Sequence, residues 1–178
     1  IQKQNFFKIV LTGPESSGKT ALASALAQAL GTVWVPEFAR SFVGHLGRPY
    51  RREDLGPIGR GQQAWEYWYQ GLGHAMLVCD TDWTVLQVWE HYRFGAPEAG
   101  AWAWSQGYIP SPAADLYLLC APDFPWAPDP LREHPAEREI LFSWYQQLLA
   151  DIGAPFEVLE GPHDKRLQQA LSITHKLF

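Results

Sequence analysis

The chain has 178 residues and a formal charge of −5, from 14 Lys and Arg against 19 Asp and Glu. That length suits one ordinary domain, and the acidic balance excludes a protein that coats nucleic acid, which needs a basic excess. Hydrophobic residues make up 47% of the chain, enough for a sizeable core, and no apolar run approaches the ~20 residues of a membrane span. In chain order, residues 6–12 (FFKIVLT) form a nearly unbroken apolar run, which predicts a strand buried on both faces. Residues 19–30, rich in Ala and Leu, predict a helix stopped by Gly31. A strand over 32–35 ends at Pro36, and a helix over 37–46 closes near Gly47. A longer helix is expected within 54–75, interrupted or bent around Gly56-Pro57. A third strand covers 76–79, followed by Asp80-Thr81-Asp82 and a helix over 83–92. Residues 95–113 suggest only a short helix around 102–107. A fourth strand covers 116–120, and the five prolines in 121–135 predict a loop. A helix over 136–152 stopped by Gly153, a strand over 156–159 and a closing helix over 165–177 complete the chain.

Strands alternating with helices predict a parallel α/β sheet. Cys79 and Cys120 each end an apolar run and read as buried thiols. Without a disulfide framework or a charged-then-apolar leader, the expected compartment is a reducing cytoplasm. Aromatics reach 14%, a density that allows an aromatic-lined pocket.

Directly after the first strand stands Gly13-Pro14-Glu15-Ser16-Ser17-Gly18-Lys19-Thr20, which meets the pattern G-x-x-x-x-G-K-[ST] at every fixed position. Gly13 and Gly18 let the backbone turn its N–H groups inward as a nest for a β-phosphate. The helix that follows offers its positive end to the same anion. Lys19 supplies a charge for the β and γ phosphates of ATP, and Thr20 a hydroxyl for Mg²⁺. Glu15, Ser16, Ser17 and Ala21 complete the expected nucleotide-binding set. The fold that fits is a P-loop kinase: one domain over residues 1–178, three layers α/β/α, with a five-stranded parallel sheet.

Asp80 follows the third strand, where a carboxylate would hold Mg²⁺ directly or through water. Asp82 could serve instead, and either could simply cap the next helix. Glu37 projects from the same sheet edge and suits an acceptor hydroxyl, whose proton it would accept or orient. Arg40, three residues on, either pairs with Glu37 or reaches a phosphate. Asp129, Arg132 and Arg138 sit on or just beyond the Pro-rich loop, where arginines would neutralise charge on a transferred phosphoryl group. Asp164 and Arg166, after the fifth strand, would border the nucleotide base, whereas His163 reads as a loop or capping residue. Trp65, Trp68 and Tyr69 share one helical face, either core or a stacking surface. No cluster has the spacing of a dedicated metal site.

The segments GPESSGKT (13–20), PEFARS (36–41), VCDTDW (78–83) and PWAPDPLR (125–132) together resemble the ribosylnicotinamide kinase domain of NadR-type proteins, over nearly the whole chain. The resemblance implies phosphorylation of the 5′-hydroxyl of nicotinamide riboside by ATP. It carries Lys19 and Thr20 onto ATP and Mg²⁺, Glu37, Arg40, Asp80 and Asp82 onto the acceptor and metal region, and Asp129 and Arg132 onto a closing lid. The family often has an aromatic before the Glu, where this chain has Pro36. Either Trp65, Trp68 or Trp83 takes over the stacking, or the substrate is another nucleoside. Larger members also carry an adenylyltransferase domain and sometimes a DNA-binding one, so the expectation here is a lone kinase-like domain or a fragment. The expected partner is a small nucleoside, with no nucleic acid and no membrane. Two other readings compete: a kinase for a different nucleoside or small alcohol, and an ATP-sensing regulatory module without catalysis.

Overall fold

In the computed structural model, which describes residues 6–97, 102–105, 114–128 and 136–178, the first apolar run is the strand β1 (Phe7–Thr12). It is followed by α1 (Lys19–Ala29), β2 (Val33–Val35), α2 (Phe38–His45), α3 (Leu55–Gln70) and β3 (Met76–Asp80). Next come α4 (Trp83–Phe94), β4 (Leu116–Cys120), α5 (Arg138–Asp151), β5 (Phe156–Leu159) and α6 (His163–Leu177). The five strands form one sheet in the order β2-β3-β1-β4-β5, with every pairing parallel. Parallel strands need crossover helices, and these cover both faces of the sheet.

The period-2 alternation of each strand divides the core. Ile9, Leu11, Val78 and Leu118 pack with Leu22 and Leu26 of α1 and Ala170 of α6. Val10, Cys79, Tyr117 and Leu119 face the other way, onto Val85 and Val88 of α4 and Leu141 and Tyr145 of α5. The three-layer α/β/α architecture is thus the expected one. A separate cluster, including Ala39, Leu55, Ile58, Leu86 and Trp104, joins α2, α3 and α4. Cys79 and Cys120 are buried free thiols. Among the described residues no helix is long and apolar enough to cross a membrane.

Some boundaries depart from expectation. Helix α3 is not interrupted at Gly56-Pro57 but begins at Leu55, after a 3-10 turn over Arg52–Asp54. Pro57 therefore falls in the first turn, where its missing N–H has no intrahelical partner to lose. Helix α6 starts two residues early, at His163, with Pro162 as its N-cap. The short helix expected around 102–107 is a 3-10 turn over Ala103–Ser105, and residues 106–113 lie outside the described residues.

One ion pair crosses the layers. Lys8 Nζ of β1 donates to Glu66 Oε2 of α3 at 2.6 Å, with side-chain exposures of 5% and 10%. Burial pushes the Glu66 carboxyl up, and Glu66 in turn holds the Lys8 ammonium in its charged form. Glu66→Leu is expected to cost about 3–5 kcal/mol, because it strands a buried ammonium. Adding Lys8→Met should restore most of that loss, since a packed apolar pair replaces a buried ion pair at little cost. Chemical denaturation of both variants measures the difference; a double variant as unstable as the single one contradicts the account.

Candidate functional site

The loop between β1 and α1 is a left-handed cradle. Gly13, Ser16 and Gly18 have φ of 132°, 55° and 80°, alternating with ordinary residues, which is how a run of amides comes to face one point. At Gly13 a Cβ would stand 2.7 Å from the Cys120 carbonyl oxygen, so only glycine lets the loop lie against the end of β4. Ser17, fully buried, donates its hydroxyl to the Pro14 carbonyl at 2.7 Å and closes the loop on itself. Lys19 Nζ folds back to the carbonyls of Gly13 and Pro14 at 2.8 and 2.7 Å. The ammonium therefore sits over the cradle.

Asp80 ends β3 opposite Leu11 of β1, two residues before Gly13. It is 1% exposed, and its Oδ1 is buried without a hydrogen-bond partner. Burial pushes its carboxyl up, while the Thr20 hydroxyl and the charges of Lys19 and Arg40 pull it back. A buried, partnerless carboxylate oxygen beside a hydroxyl is a hard-oxygen donor set that fits Mg²⁺. Among the described residues no cluster of three or more His, Cys, Asp or Glu could hold a metal.

Asp82 belongs elsewhere. In a continuing strand it would face the same side as Asp80. Thr81 instead takes a left-handed φ of 73°, rare for a β-branched residue, and the chain turns away. Asp82, 2% exposed, then caps α4 by accepting from Thr84 N at 2.9 Å and Thr84 Oγ1 at 2.6 Å. Its other oxygen accepts from the Tyr117 hydroxyl at 2.7 Å. Both oxygens are engaged, so in this structure Asp82 serves as a helix cap and a core anchor.

A cleft of about 260 Å³ opens from the cradle. It is lined by residues 13–21 together with Glu37, Arg40, Tyr50, Trp89, Leu141 and Tyr145. Burial, reinforced by the Glu37 carboxylate, pushes the Tyr145 phenol up and keeps it protonated. Glu37 occupies the N-cap position of α2 yet makes no capping hydrogen bond. Gln62 of α3, 5% exposed, does that work by accepting from the Phe38 N–H at 2.8 Å. The Glu37 carboxylate, 14% exposed, lies 3.9 Å from Arg40 Nε instead of turning back onto its own helix. Gln62→Leu is therefore expected to lower stability by about 1–3 kcal/mol through the orphaned amide. It should also reduce turnover without changing nucleotide affinity. Titration with ADP alongside steady-state rates checks this, and an unchanged turnover contradicts it.

Tyr50 and Trp89 carry no sequence signal of their own, yet they furnish the aromatic wall. Their ring centroids are 5.8 Å apart at 33°, and the Arg93 guanidinium lies 4.2 Å over the Tyr50 ring. Arg48 grips Asp54 through its two terminal nitrogens, Nη1 and Nη2, at 2.7 and 2.9 Å, bracing the segment that carries Tyr50. That pair holds the Asp54 carboxyl below its ordinary range, so the brace weakens only in acid.

The tryptophans proposed for stacking do not line this cleft. Trp68 is 63% exposed. Trp65 packs edge-on against Phe38, and Trp83 stacks on Trp104 at 5.0 Å, both half-buried against the core. Arg166, assigned to the nucleotide base, is 1% exposed and held by backbone carbonyls beneath the cradle, while Asp164 is exposed in the first turn of α6. Arg138 of α5 does reach the cradle: its Nη1 is 3.4 Å from Ser16 O, and its Nε is buried without a partner. Trp126 also joins this side by donating to Glu15 Oε1 at 2.8 Å. Asp129 and Arg132 lie outside the described residues.

A family model described as an AAA domain matches residues 8–166. The structure is similar to that of the NadR protein in complex with NR, with a TM-score of 0.81 and 19% identity over 97% of this chain and 51% of that one. It is similar to the NadR protein in complex with NAD and AMP-PNP, with a TM-score of 0.77 and 19% identity over 97% of this chain and 49% of that one. Thymidylate kinase from Ehrlichia chaffeensis follows at a TM-score of 0.70 and 11% identity, over 96% and 99% of the two chains. The chain thus spans about half the length of the NadR chains it matches. No curated protein matches the sequence. The NadR-type resemblance read from four short segments holds at the level of the fold. By its match over most of its length the chain belongs to the AAA-domain family, and its fold is that of the P-loop kinases.

Proposed function

We propose that this protein transfers the γ-phosphoryl group of ATP to the 5′-hydroxyl of nicotinamide riboside. The observation that carries this reading is a single cleft lined both by the phosphate cradle and by Glu37, Arg40, Tyr50 and Trp89. Positioning is most of what phosphoryl transfer asks of a protein, and this cleft is lined by candidate groups for both reactants.

The amides of residues 13–18 and the Lys19 ammonium grip the β and γ phosphates. Thr20 and Asp80 would hold Mg²⁺, which when bound draws charge off the phosphate oxygens. Glu37 accepts the proton of the acceptor hydroxyl as its oxygen bonds to the γ-phosphorus and the bond to the bridging oxygen of ADP breaks. Arg138, anchored at Ser16, neutralises charge on the transferring group. Arg40 orients Glu37. The aromatic wall supports a planar base, and a cationic pyridinium gains further from an aromatic face. Rings 5.8 Å apart leave no room for a third between them, since stacking takes about 3.5 Å on each side. The base therefore lies over a face of the pair. This wall stands in for the aromatic that Pro36 lacks.

Trp89→Ala is expected to raise the acceptor KM by the worth of one stacked base, about 1–3 kcal/mol, and to leave the KM for ATP unchanged. The reading itself is tested by ADP release from Mg-ATP with a panel of nucleosides. Stimulation by nicotinamide riboside is the expected result. Stimulation by another nucleoside alone moves the substrate. Release unaffected by every acceptor contradicts the kinase reading itself.

A further inference from the structure

Arg166 makes contacts that neither a base-binding nor a surface role explains. From the first turn of α6 its Nε donates to Gly161 O at 2.8 Å, its Nη1 to Ser17 O at 2.8 Å and its Nη2 to Ala121 O at 2.9 Å. Nη2 also pairs with Asp123, and the guanidinium lies 4.5 Å over the Phe124 ring. One side chain thus ties together the phosphate loop, the segment after β4 and the turn after β5.

The bond to Ser17 has a direct consequence for the cradle. In a trans peptide the C=O of one residue and the N–H of the next point in opposite directions. Holding the Ser17 carbonyl against Arg166 therefore turns the Gly18 N–H to the other side of the chain, into the concave face. Gly18 itself is left-handed, and a Cβ on it would come 3.2 Å from the Phe124 ring on which Arg166 rests. A loop with left-handed residues at 13, 16 and 18 needs such external fixing to hold its amides convergent.

We propose that Arg166 is a positioning residue for nucleotide binding, aiming the Gly18 amide at the phosphates without touching them. This rests on the reading that the cradle binds ATP. The planar guanidinium is required because one rigid fork serves three carbonyls and a carboxylate at once, which an ammonium on a flexible stem does not reproduce.

The test is calorimetric titration of ADP with Mg²⁺ into wild type, Arg166→Lys and Arg166→Met, because titration separates affinity from the fraction of folded sites. The expected result is a dissociation constant raised about tenfold or more in both variants, with near-unit stoichiometry for Arg166→Lys; tenfold corresponds to about 1.4 kcal/mol. In turnover assays the KM for ATP should rise while that for the acceptor stays constant. If Arg166→Met does not fold, Arg166→Lys still decides the matter. Reduced stoichiometry with an unchanged dissociation constant means Arg166 only supports the fold, and overturns the proposal. Wild type that binds no ADP overturns the underlying reading as well.

Discussion

Asp80→Asn is expected to stabilise the ligand-free protein and to remove most of its activity. The carboxyl is 1% exposed, and burial raises its pKa above the ordinary value, so folding disfavours its charged form. The sign follows. Stability from this group is fully present below the unfolded pKa and is lost as pH rises through the higher folded value. Asparagine carries no charge to desolvate, so the gain over wild type should appear at neutral pH and vanish in acid. Activity moves the other way, because a neutral amide is a poor partner for Mg²⁺. Losing one such electrostatic element costs about 2.7–4 kcal/mol, or two to three orders of magnitude in turnover. Thermal melts at two pH values, run beside rate measurements, check both halves. Unchanged turnover would remove Asp80 from the site.

Glu37→Gln should leave ADP affinity unchanged and lower kcat by about 10²–10⁴-fold, the usual contribution of a positioned base. Glutamine keeps the shape and the neighbours but accepts no proton. The loss should fall equally on kcat and kcat/KM, since the interaction belongs to the transition state. A rise in acceptor KM with kcat intact would instead mean that Glu37 only binds the substrate.

Much of this was legible in the sequence, and the exceptions share a cause. The strands were readable because a sheet buried on both faces demands continuous apolar runs such as FKIVLT and LYLLC. The phosphate loop was readable because its chemistry fixes residue types at fixed spacing. Asp80 and Asp82 were not separable, because the left-handed turn at Thr81 that parts them leaves no mark in composition. Trp65 and Trp68 stood out by their spacing, but spacing does not say which helix face meets the core and which meets water. Tyr50 lies in a segment without periodicity, braced by the Arg48–Asp54 pair, and Trp89 reads as one more aromatic on α4. Arg166 read as a residue bordering the nucleotide base because nothing local announces that three carbonyls converge on it.

The central claim is that one cleft brings the γ-phosphate of ATP and an acceptor hydroxyl together. Its most direct test is transfer of label from γ-labelled ATP to nicotinamide riboside under single-turnover conditions, with the products separated. The account predicts labelled nicotinamide mononucleotide in amounts equal to the ADP formed, and none from Glu37→Gln on the same timescale. Label found only as inorganic phosphate, or left in ATP that is nonetheless bound, would contradict it.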